Sequence, residues 1–125
     1  MKIYLAGPIR DYSYKWRGKA TKKLGDLGFT VRNPEVIENK VGVNVVPFDI
    51  ATIKSCDIVL ANITELSVGT SQEMVYAHQF NKIVVTICPD ALYSSWHEYH
   101  SSFLCQTLKE AYPILVKIRN FWEEQ

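Results

Sequence analysis

Short apolar runs alternate along this chain with stretches of helical character, and this alternation constrains the fold more than any other feature. The runs read KIYLA at residues 2–6, DIVLA at 57–61 and KIVVTIC at 82–88. Short strands that are apolar on both faces are typical of a parallel sheet covered by helices on each side. The pattern therefore predicts a single α/β domain with a doubly wound parallel sheet, Rossmann-like or flavodoxin-like.

The individual elements follow from spacing and from turn-forming residues. For example, Trp16, Ala20, Leu24 and Leu27 recur at helical spacing and predict a buried helix face. The predicted strands cover residues 3–6, 29–31, 57–61 and 82–88. The predicted helices cover residues 14–27, 49–55, 70–80, 97–111 and 112–122, with a long loop at 33–47. The run PILVKI inside the last helix could instead form a fifth strand.

The size and charge of the chain limit its domain number and its partners. A chain of 125 residues with 47% hydrophobic residues is the size of one compact domain, residues 1–125. A formal net charge of +1 gives no reason to expect binding to a nucleic acid polymer or an anionic membrane. The expected partner is therefore a small molecule. Arg17 and several lysines fall in the first predicted helix, and we interpret most of them as a solvated helix face.

Cysteine spacing and hydropathy indicate the compartment. Cys56, Cys88 and Cys105 form no CxxC or metal-like pattern, which favours a reducing environment. The apolar run at the N-terminus is only about five residues long, too short for the apolar core of a signal peptide. No other segment approaches the roughly 18 apolar residues of a membrane span. We expect a cytoplasmic protein.

Three segments of the chain meet at one edge of the predicted sheet. Ligands of such sheets bind at the carboxyl ends of the strands, and here those ends lead into residues 7–10, the loop before Asp49, and residues 67–73. Thr70 and Glu73 match the S/T-x-x-E capping box, so in isolation Glu73 is better explained as part of a helix cap. Asp49 also suits a helix N-cap. The alternative is that both carboxylates perform acid–base or nucleophilic chemistry at a glycosidic carbon.

The same edge has features that suit an anion. Gly69 precedes a helix N-terminus, where free amides and the helix dipole attract negative charge. Arg10 follows the first strand, and its planar guanidinium suits a phosphate, although a plain surface arginine is as compatible with the pattern. Neither a dinucleotide fingerprint nor a P-loop is present. The histidines lack metal-site spacing, and we expect neither a metal nor an organic cofactor.

Taken together, these residues resemble the nucleoside 2-deoxyribosyltransferase superfamily. The likeness rests on KIYLAGP, then D…CDIVLANI, then SVGTSQE…A…NKIVV, and spans residues 2–85. The resemblance implies an enzyme in which Glu73 is the nucleophile that attacks C1′ of a nucleoside. It further implies that Tyr4 orients Glu73 and that Asp49 handles the base or protonates the leaving nitrogen.

The residues that hold the sugar phosphate distinguish the branches of that superfamily. Members that act on unphosphorylated nucleosides tend to have an aspartate six residues before the nucleophile, where this chain has Ser67. Ser67 and Arg10 instead resemble the phosphate-holding residues of nucleoside 5′-monophosphate N-glycosidases. Gly7, Gly69 and Thr70 complete the expected substrate pocket. The resemblance thus implies hydrolysis of the N-glycosidic bond of a (deoxy)nucleoside 5′-monophosphate to free base and (deoxy)ribose 5-phosphate.

Pro8 stands where some members of that branch have a serine, as in related cytidylate-type hydrolases whose loop resembles Gly-Pro-aromatic-Arg, and Ile9 replaces the aromatic residue. Two other functions stay open at this point. One is a nucleoside 2-deoxyribosyltransferase that exchanges bases, and the other is a non-catalytic nucleotide-binding module on the same fold. The resemblance also implies a homodimer or larger homo-oligomer with a shared active site. The segment LYSSWHEYHSS would contribute to the neighbouring site, with Ser94, Ser95 and His97 as candidates.

Overall fold

One parallel sheet forms the centre of the fold, as predicted. The computed structural model describes residues 1–8, 14–34 and 45–125. Within these ranges the strands lie in the order β2-β1-β3-β4-β5, and every neighbouring pair is parallel. They are β1 (Lys2–Ala6), β2 (Thr30–Arg32), β3 (Ile58–Asn62), β4 (Ile83–Ile87) and β5 (Phe103–Cys105). This order is flavodoxin-like, and its direction reverses between β1 and β3, where such folds bind ligands.

Helices cover both faces of the sheet. They are α1 (Tyr14–Asp26), α2 (Val45–Ser55), α3 (Val68–Gln79), α4 (Ser95–Tyr99) and α5 (Leu108–Glu123). One hydrophobic cluster joins α1 and α5 to Ile3 and Leu5 of β1, and a second joins α2 and α3 to Tyr4 and Ala6. Because successive side chains of a strand point to opposite faces, the sequence of β1 directs Tyr4 toward α2 and α3.

The start of α2 differs from the prediction. This helix begins at Val45, four residues earlier than expected, so Asp49 lies in its second turn and is not its N-cap. Pro47, which belongs to the predicted loop, lies in the first turn of this helix. Proline is compatible with the first turn of a helix, because the amides there have no intrahelical partner to lose.

The C-terminal third of the chain also differs from the prediction. The expected helix at 97–111 is wrong, because α4 ends at Tyr99 and the chain then forms β5. A fifth strand at 113–118 is likewise wrong, since α5 runs unbroken through Pro113. The short β5 is held by pairing with β4 and by Ser102, whose amide donates to the Val84 carbonyl at 2.8 Å.

Helix length bears on membrane insertion. None of the helices in the described ranges combines the length and the apolar character needed to span a bilayer.

Candidate active site

A cavity of about 490 Å³ opens beyond the carboxyl end of β1, beside the start of α3. Its volume is in the range of small-molecule sites. The predicted site residues that line it are Tyr4, Gly7, Asp49, Ser67, Gly69, Thr70 and Glu73. Pro34, Val45 and Val46 add an apolar wall. Arg10 lies outside the described residues. The predicted ligand edge thus brings together seven residues from three segments that are distant in sequence.

Tyr4 and Glu73 are in direct contact across the floor of this cavity. The Tyr4 hydroxyl donates a hydrogen bond to a Glu73 carboxylate oxygen, and Tyr4 is fully buried in the middle of β1. Burial raises the pKa of Tyr4 far above its usual range, and the neighbouring negative charge of Glu73 raises it further. Tyr4 therefore stays protonated at neutral pH and acts as a fixed donor to the carboxylate.

Asp49 reaches the same cavity from α2. Its negative charge contributes to the raised pKa of Tyr4, after burial and the effects of Glu73. The early start of α2 explains this position, because a residue in the second turn lies on the side of the helix and not at its end. Two carboxylates, from α2 and α3, thus line one cavity.

The start of α3 presents a polar surface to the cavity. Ser67 is the N-cap, and its hydroxyl accepts from the Thr70 amide at 3.3 Å. Thr70 is 2% exposed, and its Oγ1 has no hydrogen-bond partner within the described residues. An added Cβ at Gly69 would meet only the Ser67 hydroxyl, at 3.8 Å, so the space beside this position is open. Helix N-termini of this kind attract anions through their amides and dipole.

The predicted capping box at Thr70 and Glu73 is wrong, because Ser67 caps the helix and Glu73 bonds to Tyr4. The same T-x-x-E pattern recurs at Thr107 and Glu110, at the start of α5. There the Thr107 hydroxyl accepts from the Glu110 amide at 3.2 Å, and the Glu110 carboxylate accepts from the amide of Gln106 at 2.9 Å. Glu110 therefore caps a helix, whereas Glu73 lines the cavity.

Gly7 is fixed by the packing of α1 on the end of β1. A Cβ at this position would lie 2.6 Å from the ring of Trp16, which is closer than side chains can approach. Trp16 is half-buried, whereas Leu24 of the same helix is fully buried; Leu27, just after the helix, is partly buried. The glycine therefore lets Trp16 support the backbone that lines the cavity.

Arg17 was not predicted as a site residue, and its interpretation as part of a solvated face is wrong. It is 1% exposed and lines the cavity. Its guanidinium donates to the carbonyl oxygens of Leu5 at 2.7 Å and Gly7 at 2.6 Å. The sequence contained the signal, because Arg17 precedes Ala20 and Leu24 by three and seven residues, on the apolar face of α1.

The family of the chain is identified from its first 86 residues. A family model described as a domain of unknown function, DUF4406, matches residues 1–86, from β1 to β4. The chain belongs to the DUF4406 family. The matched region of this DUF4406 domain includes Tyr4, Asp49 and Glu73. No curated protein matches the sequence.

Solved structures resemble this chain of the DUF4406 family over nearly its whole length. A conserved protein from Enterococcus faecalis has a TM-score of 0.80 at 15% identity, covering 95% of this chain and 98% of its own. A 2-desoxiribosyltransferase from Leishmania mexicana has a TM-score of 0.71 at 18% identity, covering 93% and 97%. The CMP N-glycosidase BcmB from Clostridium botulinum has a TM-score of 0.66 at 19% identity, covering 92% and 98%. At these identities the likeness establishes a shared fold.

The segment after β4 of the DUF4406 domain packs beside the start of α3. His97 Nε2 lies 3.0 Å from the Ser71 hydroxyl, which joins α4 to the first turn of α3. Burial lowers the pKa of His97, and the nearby His100 lowers it further. Ser94 is the N-cap of α4, and its hydroxyl accepts from the Trp96 amide at 3.2 Å. Ser94, Ser95 and His97 do not line the cavity of their own chain within the described residues.

Proposed function

We propose that the protein hydrolyses the N-glycosidic bond of a (deoxy)nucleoside 5′-monophosphate. The observation that carries this proposal is the hydrogen bond from Tyr4 to Glu73 inside a cavity that Asp49 also lines. A cleft with two carboxylates, one of them held by a fixed donor, suits cleavage of a bond to a sugar carbon. The structural likeness to a 2-desoxiribosyltransferase and to a CMP N-glycosidase supports the same class of reaction.

The chemical step follows from the roles of the two carboxylates. Glu73 attacks C1′ from one side of the sugar, and its negative charge stabilises the oxocarbenium-like transition state. Asp49 protonates the departing base nitrogen. Tyr4 keeps the attacking carboxylate in a single orientation. Water then gives a proton to the Asp49 carboxylate and attacks C1′ of the glycosyl-enzyme, which releases the sugar phosphate with Glu73 as the leaving group.

The start of α3 is the proposed phosphate site. Ser67, Gly69 and Thr70 line the cavity, and Ser67 is the N-cap of α3. The unsatisfied Thr70 hydroxyl, buried within the described part of the chain, supports a polar ligand at this position. Arg10 would add a positive charge, and Gly7 would leave room for the sugar. Binding energy from the phosphate then positions C1′ for attack.

A homo-oligomer with a shared active site is part of this proposal. Large apolar side chains are exposed near the cavity mouth and on α4, among them Val68 at 80%, Trp96 at 76% and Tyr99 at 70%. Exposed apolar patches often mark contact surfaces. A second copy would place its α4 segment, with Ser94, Ser95 and His97, over the cavity. Sedimentation as a monomer at concentrations that support turnover would contradict this assembly.

Base release from a substrate panel tests the proposed function. We expect free base from at least one ribo- or deoxyribonucleoside monophosphate, measured by chromatography. The matching nucleoside should react at least about 100-fold more slowly, because charge-assisted hydrogen bonds to the phosphate contribute roughly 1.5–3 kcal/mol each. A second free base, added in excess, tests the alternative of base exchange. Tight nucleotide binding without release of any base would support a non-catalytic module.

A further inference from the structure

Arg17 is an unusual residue for its position. Of the Lys, Arg, Asp and Glu side chains within the described ranges, only that of Arg17 is buried. Its guanidinium carbon lies 5.3 Å from the centre of the Trp16 ring, and its nitrogens donate to two carbonyls at the end of β1. Burying a charge is costly unless other groups compensate for it. Arg17 Nη1 also donates to Asn33 Oδ1 at 3.5 Å.

Opposite charges are present around the same cavity. Arg17 lines it from α1, Asp49 from α2 and Glu73 from α3. Burial raises the pKa of Tyr4 most, the negative charges of Glu73 and Asp49 raise it further, and the positive charge of Arg17 lowers it. The pKa of Tyr4 is therefore affected by one cation and two carboxylates, which come from three different helices.

We propose that Arg17 is a positioning residue of this site, which supplies the buried positive charge that keeps the Glu73 carboxylate ionised and holds the end of β1 beneath it. The inference rests on the proposed function, because it assigns the charge balance of the same cavity. Enclosure strips water from a carboxylate and favours its protonated form. A fixed cation in the same enclosed region reverses that preference, and only an ionised Glu73 can attack C1′.

Arginine suits both parts of this role. Its guanidinium stays protonated at every pH at which the protein is folded, and its planar fork donates to two carbonyls at once. A purely structural arginine would need only the second property. Variants that separate charge from hydrogen bonding therefore distinguish the two roles: Arg17→Lys keeps the charge, Arg17→Gln keeps an amide donor without charge, and Arg17→Met keeps neither.

The decisive measurement is the pH profile of kcat/KM for base release. We expect the acid limb of Arg17→Gln and Arg17→Met to move to higher pH by about one unit or more, because a nearby opposite charge shifts a carboxyl pKa by roughly that amount. Arg17→Lys should keep the parental acid limb even if its rate is lower. Equal rate losses in all three variants without movement of the acid limb would overturn the proposal.

Arg119 provides a matched control. It also stacks on an aromatic ring, with its guanidinium carbon 5.6 Å from the centre of Phe29, and it does not line the cavity. Arg119→Met should therefore leave the acid limb unchanged. If it moved the acid limb as far as Arg17→Met does, a general loss of positive charge would explain the effect and the role of Arg17 would be rejected.

A titration that needs no turnover separates this proposal from the proposed function. Carbon-13 NMR of labelled glutamate follows the Glu73 carboxyl directly in the parent protein and in folded Arg17→Gln. We expect a parental midpoint no higher than the ordinary value of about 4.3, and a higher one in the variant. A parental midpoint well above that value overturns the role of Arg17, even if both neutral variants fail to fold. Absence of base release by the parent counts against the proposed function alone, and the titration still decides on Arg17.

Discussion

Replacement of Glu73 by glutamine is expected to lower kcat for base release by about 10⁴-fold or more, because an amide cannot form the glycosyl-enzyme bond. The substitution keeps the size of the side chain, and its amide oxygen can still accept from the Tyr4 hydroxyl. Folding should therefore be little affected. Rapid-quench measurement of free base with enzyme in excess gives the rate of the chemical step. Intact-mass analysis of the quenched parent enzyme should detect the added sugar phosphate.

Glu110 offers the control for this experiment within the same chain. It occupies the same T-x-x-E pattern at a helix start, but its carboxylate accepts from the Gln106 amide at 2.9 Å. Glu110→Gln should cost stability of about 1 kcal/mol or less and leave turnover unchanged. Glu110→Gln should thus lower the stability and keep base release, whereas Glu73→Gln should keep the stability and lose base release. If Glu73→Gln lost stability and kept its turnover, Glu73 would be structural and the proposed mechanism would fail.

Replacement of Asp49 by asparagine should slow release of natural bases by about 10²- to 10⁴-fold, the usual contribution of a general acid. The effect should depend on the leaving group. Some leaving groups depart as stable anions and need no proton, as in 4-nitrophenyl ribofuranoside 5-phosphate. With such a substrate the rate should fall far less in the variant. The measurement is the ratio of kcat/KM between parent and variant for the two kinds of substrate.

Asp57 is the matched control for Asp49. It lies at the opposite end of the sheet, where its carboxylate accepts from the backbone amide of Lys2 at 2.8 Å. Asp57→Asn should leave both substrates unaffected apart from any change in stability. Equal losses for the natural and the activated substrate in Asp49→Asn would show that Asp49 does not protonate the base, and would point to a role in holding the sugar or the base instead.

Most of the sheet is predictable from the sequence, because β1, β3 and β4 are continuous apolar runs bounded by turn-forming residues. The strand β5 is not predictable in this way. It has three residues, of which Phe103 and Leu104 are exposed, and its place is fixed by pairing with β4. Long-range hydrogen bonds of this kind leave no local pattern. Helical periodicity in the flanking residues then favours one long helix over the strand that forms.

The candidate site is predictable in position but not in detail. The carboxyl-end rule brings Tyr4, Asp49 and Glu73 to one edge, and the cavity has that location. The local pattern at Glu73 nevertheless favours a cap, because the competing partner, Tyr4, is 69 residues away in sequence. Arg17 was missed for a related reason. A charged residue on a helix is usually exposed, and the burial of Arg17 depends on tertiary partners such as the carbonyls of Leu5 and Gly7.

The central position of β1 has a consequence for how the protein fluctuates. Tyr4 pairs with Arg32 of β2 on one side and with Val59 of β3 on the other. Strands enclosed in this way lose their amide protection only when the whole domain unfolds, whereas edges and surface helices open locally. The donor to Glu73 therefore stays in place through the frequent small openings of the molecule. Variation around the rim can change what enters the cavity while the Tyr4 hydroxyl remains where it is.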